Sequence, residues 1–140
     1  MHIVLAANAE ADQPWVADTT AEIAKQTGAS VAVLSVDEVE TEHLAPAPRS
    51  MYVELAERAA SLAVERLDSA GISATKTVLS GAALERIKGF AQQEKADLVV
   101  VGSSTRTPVT ERLLGSVPLS LIKESPVPVV VVTNPDRASR

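Results

Sequence analysis

The residues best placed to do chemistry lie between Gly102 and Val117. The stretch opens Gly102-Ser103-Ser104-Thr105-Arg106-Thr107 and closes Arg112-Leu113-Leu114-Gly115-Ser116-Val117. Small residues at its start let the backbone approach a ligand closely. Gly115-Ser116 stand at the start of a predicted helix, where unpaired N–H groups and the helix dipole favour an anion. Arg106 and Arg112 bring positive charge to a chain whose formal net charge is −5. The physical reading is a phosphate cradle, and the plain alternative is an ordinary strand-to-helix loop with a serine cap. The stretch contains no Gly-Lys-Ser/Thr and no GxGxxG, so it is neither a Walker A loop nor a dinucleotide fingerprint.

The remaining candidates are weaker. His2 and His43 are the only histidines and have no metal-ligand spacing between them; solvated or packed rings are expected. The acidic run from Asp37 to Glu42 reads as a solvated loop rather than a cation site. Ser103, Ser104 and Ser116 have no His or Asp beside them in the motif, which gives no support to a nucleophilic serine. Trp15 reads as packing for the first helix, close to the presumed crevice. With no cysteine, thiolate metal sites, iron–sulfur clusters, disulfide scaffolds and cysteine nucleophiles are excluded. A sequence pI near 5.0 argues against nucleic-acid binding through phosphate neutralisation. The aromatic fraction of 2% leaves no base-stacking platform.

These residues need elements to position them. At 140 residues the chain has room for one domain. Apolar runs at 3–7, 31–36, 97–101 and 127–132 predict buried strands, and the mixed segment 73–79 predicts an edge strand. Helical spacing predicts helices over about 14–27 and 51–70. Two more follow, one after Gly81 with Leu84, Ile87, Phe90 and Ala91 inward, and a short one with Leu114, Val117 and Leu121. On the helix over 51–70 the expected inward stripe is Tyr52, Leu55, Ala59, Leu62, Ala63 and Leu67. Residues 37–50 read as a long loop. Strands alternating with helices give an α/β fold, a doubly wound five-stranded parallel sheet with order 3-2-1-4-5. A ligand crevice then lies at the strand C-terminal ends, near Asn8–Asp12, Val36–Asp37 and Gly102 onward. No apolar run approaches the ~18 residues of a membrane helix. The start, Met1-His2-Ile3-Val4-Leu5, reads as a strand and not a signal peptide, so no membrane and a cytoplasmic location are expected.

From Ile3 to Val132 the chain resembles the universal stress protein family. The most specific likeness is the family's nucleotide motif: Gly, two residues, Gly, nine residues, Gly-Ser/Thr. Gly102, position 105 and Gly115-Ser116 fit that spacing without a gap. Gly81 to Ile87 and Glu94 to Gly102 resemble two further family segments. The resemblance implies one domain over 1–133 with a loose tail at 134–140. It also implies a stress-response module holding ATP, AMP, cyclic AMP or a related adenine nucleotide, with or without Mg. On that likeness the Val36 backbone meets adenine. Gly102, Ser103, Thr105, Arg106, Gly115 and Ser116 hold ribose and phosphates, with Val117 beside them and Asn8 at the end of the first strand. Two positions depart from the pattern. Thr105 replaces the second motif glycine and adds a Cβ in a tight loop. Asn8 replaces an acidic residue and keeps hydrogen-bonding capacity without charge.

Two functions stay open on this sequence: a nucleotide-binding regulatory module, and an interaction module of the same fold that has lost the nucleotide. ATP hydrolysis is expected to be slow at most, because no catalytic base or Walker lysine is present. The apolar strand Val127–Val132 lies at an edge in this topology, and Pro128 suits that position. The resemblance implies that a homodimer covers it; a further protein partner is expected but not named by the sequence.

Overall fold

The computed structural model describes residues 1–9, 11–38, 49–103 and 117–135. Five strands, β1 (His2–Ala7), β2 (Ser30–Glu38), β3 (Ala74–Gly81), β4 (Leu98–Gly102) and β5 (Val129–Val132), form one sheet in the order β3-β2-β1-β4-β5. Every pairing is parallel. The helices are α1 (Pro14–Thr27), α2 (Arg49–Ser69), α3 (Ala83–Gln93) and α4 (Val117–Glu124). The expected fold and strand order are the ones observed.

Strand alternation divides the core into two layers. Ile3, Leu5, Val31, Val33 and Val100 point to one face and pack with Val16, Ala17, Ala21 and Ala24 of α1 and with Ala60 and Leu67 of α2. Val4, Ala32, Leu34, Val36, Val99 and Val101 point to the other, against Ile87, Phe90 and Ala91 of α3 and Leu121 of α4. Burial on both faces explains why these strands read as unbroken apolar runs. Small alanines on α1 and α2 bring those helices close to a valine-rich sheet, so few aromatics are needed to fill the layers.

The first helix begins with Pro14 at a position where a missing N–H costs nothing, and ends at Gly28, whose φ of 73° is left-handed. The Gly28 N–H donates to the Ala24 carbonyl at 2.8 Å. At the opposite edge of the sheet from the predicted crevice, the His2 ring bridges Ser30 Oγ at 2.6 Å and Glu94 Oε1 at 3.1 Å. The His2 N–H donates to Asp97 Oδ2 at 2.8 Å. This histidine is a packed, hydrogen-bonded side chain that pins the start of β1.

Three expectations change. Asp37 and Glu38 extend β2 instead of starting a loop, and Asp37 is only 1% exposed. The β2–β3 ladder continues to Glu38↔Gly81, and Ser80, opposite Asp37, donates its hydroxyl to Asp37 Oδ2 at 3.2 Å; that satisfied bond permits burial. The fully buried residues of α2 are Ala56, Ala60 and Leu67, while Leu55 stays 38% exposed. Leu55, Ala59, Leu62 and Ala63 of the expected stripe instead line a cavity. The last strand starts at Val129, not Val127. Pro128 has no N–H to give the ladder, and only its carbonyl takes part, accepting from Val99 N–H at 2.9 Å. His43, Leu114 and most of the predicted 134–140 tail lie outside the described residues.

Ser35 is the weak point of this core. It is fully buried on β2 between Ala7 and Val78, and its hydroxyl has no partner among the described residues. An unmet buried hydroxyl carries its desolvation cost without return. Ser35→Ala is expected to stabilise the fold by about 1 kcal/mol, read as a higher urea midpoint at unchanged slope. A lower midpoint would show that the hydroxyl does structural work.

Candidate functional site

The strands do not end level at their C-terminal side. The β1–β2 ladder stops at Ala7↔Ser35, whereas β2 runs on beside β3 to Glu38. On the other side the β1–β4 ladder stops at Ala6↔Val101, while β4 stays paired with β5 through Gly102↔Val132. On the β2 side the central strand therefore stops short, since β2 runs on past Ser35 to Glu38; β4, whose Gly102 is in register with Ala7, ends level with β1. The result is a one-sided notch above Ala7 and Asn8, with Val36–Glu38 of β2 standing over one side and the end of β4 at Gly102, followed by Ser103, on the other. It sits where the chain order reverses, the position at which open parallel sheets bind ligands.

The β1–α1 connection crosses this notch. Gln13 is the cap residue of α1, yet its side chain makes no capping bond to that helix. Its Nε2 donates instead to the Ser103 carbonyl at 3.1 Å. The Ser103 N–H in turn donates to the Val132 carbonyl at 2.9 Å, which ties the rim of the notch to β5. Gly102 makes the crossing possible. A Cβ there would meet Gln13 Oε1, would lie 2.8 Å from Gln13 Cδ and would lie 2.9 Å from Val16 Cγ2. Glycine at 102 is thus a requirement of close approach, and the group that approaches is the protein's own glutamine.

From Asn8 and Gln13 a cavity of about 300 Å³ runs down between α1 and α2, at the small end of ligand pockets. Ala7, Val16, Ala17, Ala59, Leu62 and Ala63 give it aliphatic walls, and Asp12, Arg58 and Arg66 add charge. Arg66 is fixed by Asp18 through a two-pronged pair, Nε to Oδ1 at 2.8 Å and Nη2 to Oδ2 at 2.9 Å. Hydrogen bonding from the Arg66 guanidinium holds the Asp18 carboxyl below its ordinary value against an opposing effect of burial, and the same pair raises Arg66. Both side chains are about half exposed, so the pair orients Arg66 more than it stabilises the fold.

Of the residues singled out from sequence, four lie on the C-terminal side of the sheet: Asn8 directly after β1, Val36 on β2, Gly102 at the end of β4 and Ser103 after it. Val117 is the first residue of α4 and packs against the α3–α4 core layer. Thr105, Arg106, Gly115 and Ser116 lie outside the described residues, as do Glu10 and Ser104. Trp15 packs against the α1–α2 core layer as expected, and its Nε1 is buried with no partner among the described residues. Sequence reasoning missed Gln13 and the α2 wall. One signal was present for Gln13: a glutamine directly before Pro14 stands where Ser, Thr, Asp or Asn ordinarily caps a helix.

Comparison with known proteins decides the family. The family model described as the universal stress protein family matches residues 1–133. The chain belongs to the universal stress protein family. A universal stress protein of Mycobacterium tuberculosis is 37% identical over 71 residues, 50% of this chain and 49% of that protein. The chain spans about half or less of the length of the curated relatives it matches. A solved universal stress protein in complex with cyclic AMP aligns over 92% of this chain and 95% of its own, with TM-score 0.70 and 20% identity. One from Archaeoglobus fulgidus in complex with dAMP aligns over 94% and 97%, with TM-score 0.69 and 23% identity. At those identities the likeness shows the fold, and this universal stress protein shares it.

Proposed function

We propose that this universal stress protein is a stress-response regulatory module that binds an adenine nucleotide at the C-terminal edge of its sheet. The observation that carries the reading is the notch at the switch point, where β2 overhangs β1 and β4 ends at Gly102 beneath the Gln13 side chain. Relatives of the same fold hold cyclic AMP and dAMP. Val36 is the first β2 residue beyond the last β1 partner, so its backbone is the group offered to the base. Gly102 and Ser103 form the β4 rim. Thr105, Arg106, Gly115, Ser116 and Val117 continue it in sequence and supply small residues and positive charge for phosphates.

In this proposal any ATP hydrolysis is slow and incidental. Asn8 is an amide where a carboxylate would be needed for general-base work, and no Walker lysine occurs. Among the described residues no group of three His, Asp or Glu could hold a metal. No described helix is long and apolar enough to cross a membrane, and a cytoplasmic site of action is part of the proposal.

A calorimetric titration with ATP, AMP and cyclic AMP tests the reading. Saturable binding at sub-millimolar concentration is expected for at least one of them. Thr105→Gly, which restores the motif glycine, is expected to raise affinity for the phosphorylated ligand. No heat at millimolar ligand in either protein would leave the interaction-only reading standing.

The same proposal includes a homodimer through β5. All four residues of β5 are half-buried, and β5 is an edge strand. Leu119 and Ile122 of α4, which packs beside it, are 60% and 59% exposed. A flat valine edge flanked by exposed aliphatics invites a second copy. Size exclusion with light scattering is expected to give twice the 14.7 kDa chain mass. A monomer across the micromolar range would contradict it.

A further inference from the structure

Gly102 lacks a side chain, and the space this opens is not empty. Gln13 Cδ stands 2.8 Å and Val16 Cγ2 2.9 Å from where a Cβ would be, and the Gln13 amide is anchored there by its bond to the Ser103 carbonyl. Val16 belongs to the core and is 3% exposed, so it is a fixed wall. Gln13 is only partly buried, precedes the helix, and spends its side chain on this contact instead of capping α1. Its anchor is a single hydrogen bond between neutral groups, the class with a small net worth. A ligand that uses the close approach at Gly102 needs the volume that Gln13 fills, and a ligand hydroxyl or amino group could donate to the Ser103 carbonyl only once Gln13 releases it.

We infer that Gln13 is a gate on the β4 rim of the crevice. In the free protein it lies across Gly102 and Ser103. Ligand entry swings it away, the ligand takes over its contacts, and the affinity of the crevice is lowered by whatever holds the glutamine in place. This inference rests on the nucleotide reading above. It adds a residue that sets affinity through its own displacement. A ligand with no greater affinity for the open state than for the closed one would not shift this equilibrium.

The test uses the full chain, as wild type and as Gln13→Ala. In ligand-free wild type, ¹⁵N-edited NMR is expected to show contacts between the Gln13 side-chain amide and Gly102 Hα. AMP, cyclic AMP and ATP are then titrated into both proteins. Loss of those contacts on saturation is expected, together with roughly 2- to 10-fold tighter binding by Gln13→Ala, the range one neutral hydrogen bond represents. A thermal melt of Gln13→Ala close to wild type is the accompanying control for folding. Three outcomes overturn the gate: no contacts in the free protein, contacts that persist in the saturated complex, or equal or weaker binding by Gln13→Ala. If wild type and variant both bind no nucleotide while the contacts are present, the nucleotide reading falls and the gate with it. If wild type binds and the variant gains nothing, the gate alone falls.

Discussion

The site depends on one constraint, the overhang of β2 beyond the central strand β1. The central strand is enclosed on both faces along its first half, with Ile3, Val4 and Leu5 at 0–1% exposure. Such a strand cannot carry unpaired backbone groups, so it ends where both ladders end, at Ala6 and Ala7. Its neighbour β2 has another partner further along and does not need to end there, whereas β4 ends level with it. β3 supports β2 out to Glu38, and β5 supports β4 out to Gly102. The notch is what remains, and its depth follows from register.

That origin sets the kind of chemistry available. The walls are strand backbone and aliphatic side chains, and the chain has one tryptophan, one tyrosine and one phenylalanine. Trp15 and Phe90 are both taken up by the core layers. A base held here is read by main-chain groups and packed against aliphatic surface rather than sandwiched between rings. Gly102 matters for the same reason, because backbone recognition needs close approach. The glutamine lying over that glycine, and the chain Gln13–Ser103–Val132, place α1, β4 and the edge strand in one hydrogen-bonded group.

Much of this was legible in the sequence. Val runs bounded by Gly and Pro, alternating with helical spacing, lead to the sheet and its order, and the glycine spacing from 102 to 116 leads to the family. What was hidden depends on strand partners. Asp37 looks like the first residue of an acidic loop until Ser80 is known to sit opposite it. The apolar stripe of α2 looks like core until the alanines of α1 and α2 leave a cavity between them. Gln13 has no apolar periodicity and no charge; the sequence marks it only as an unusual residue before Pro14, and its contact with Ser103 shows what it does. Pro128, by contrast, was readable at once, since its missing N–H dictates where β5 can begin.

The central claim, that the notch above β1 is the ligand site, is tested most directly by backbone amide exchange of the full chain with and without saturating AMP. Added protection should concentrate at Asn8, Val36 to Glu38 and Gly102–Ser103. The opposite edge, where His2 meets Ser30 and Asp97, should be unchanged. Protection centred elsewhere, or none under saturating conditions, would contradict the account.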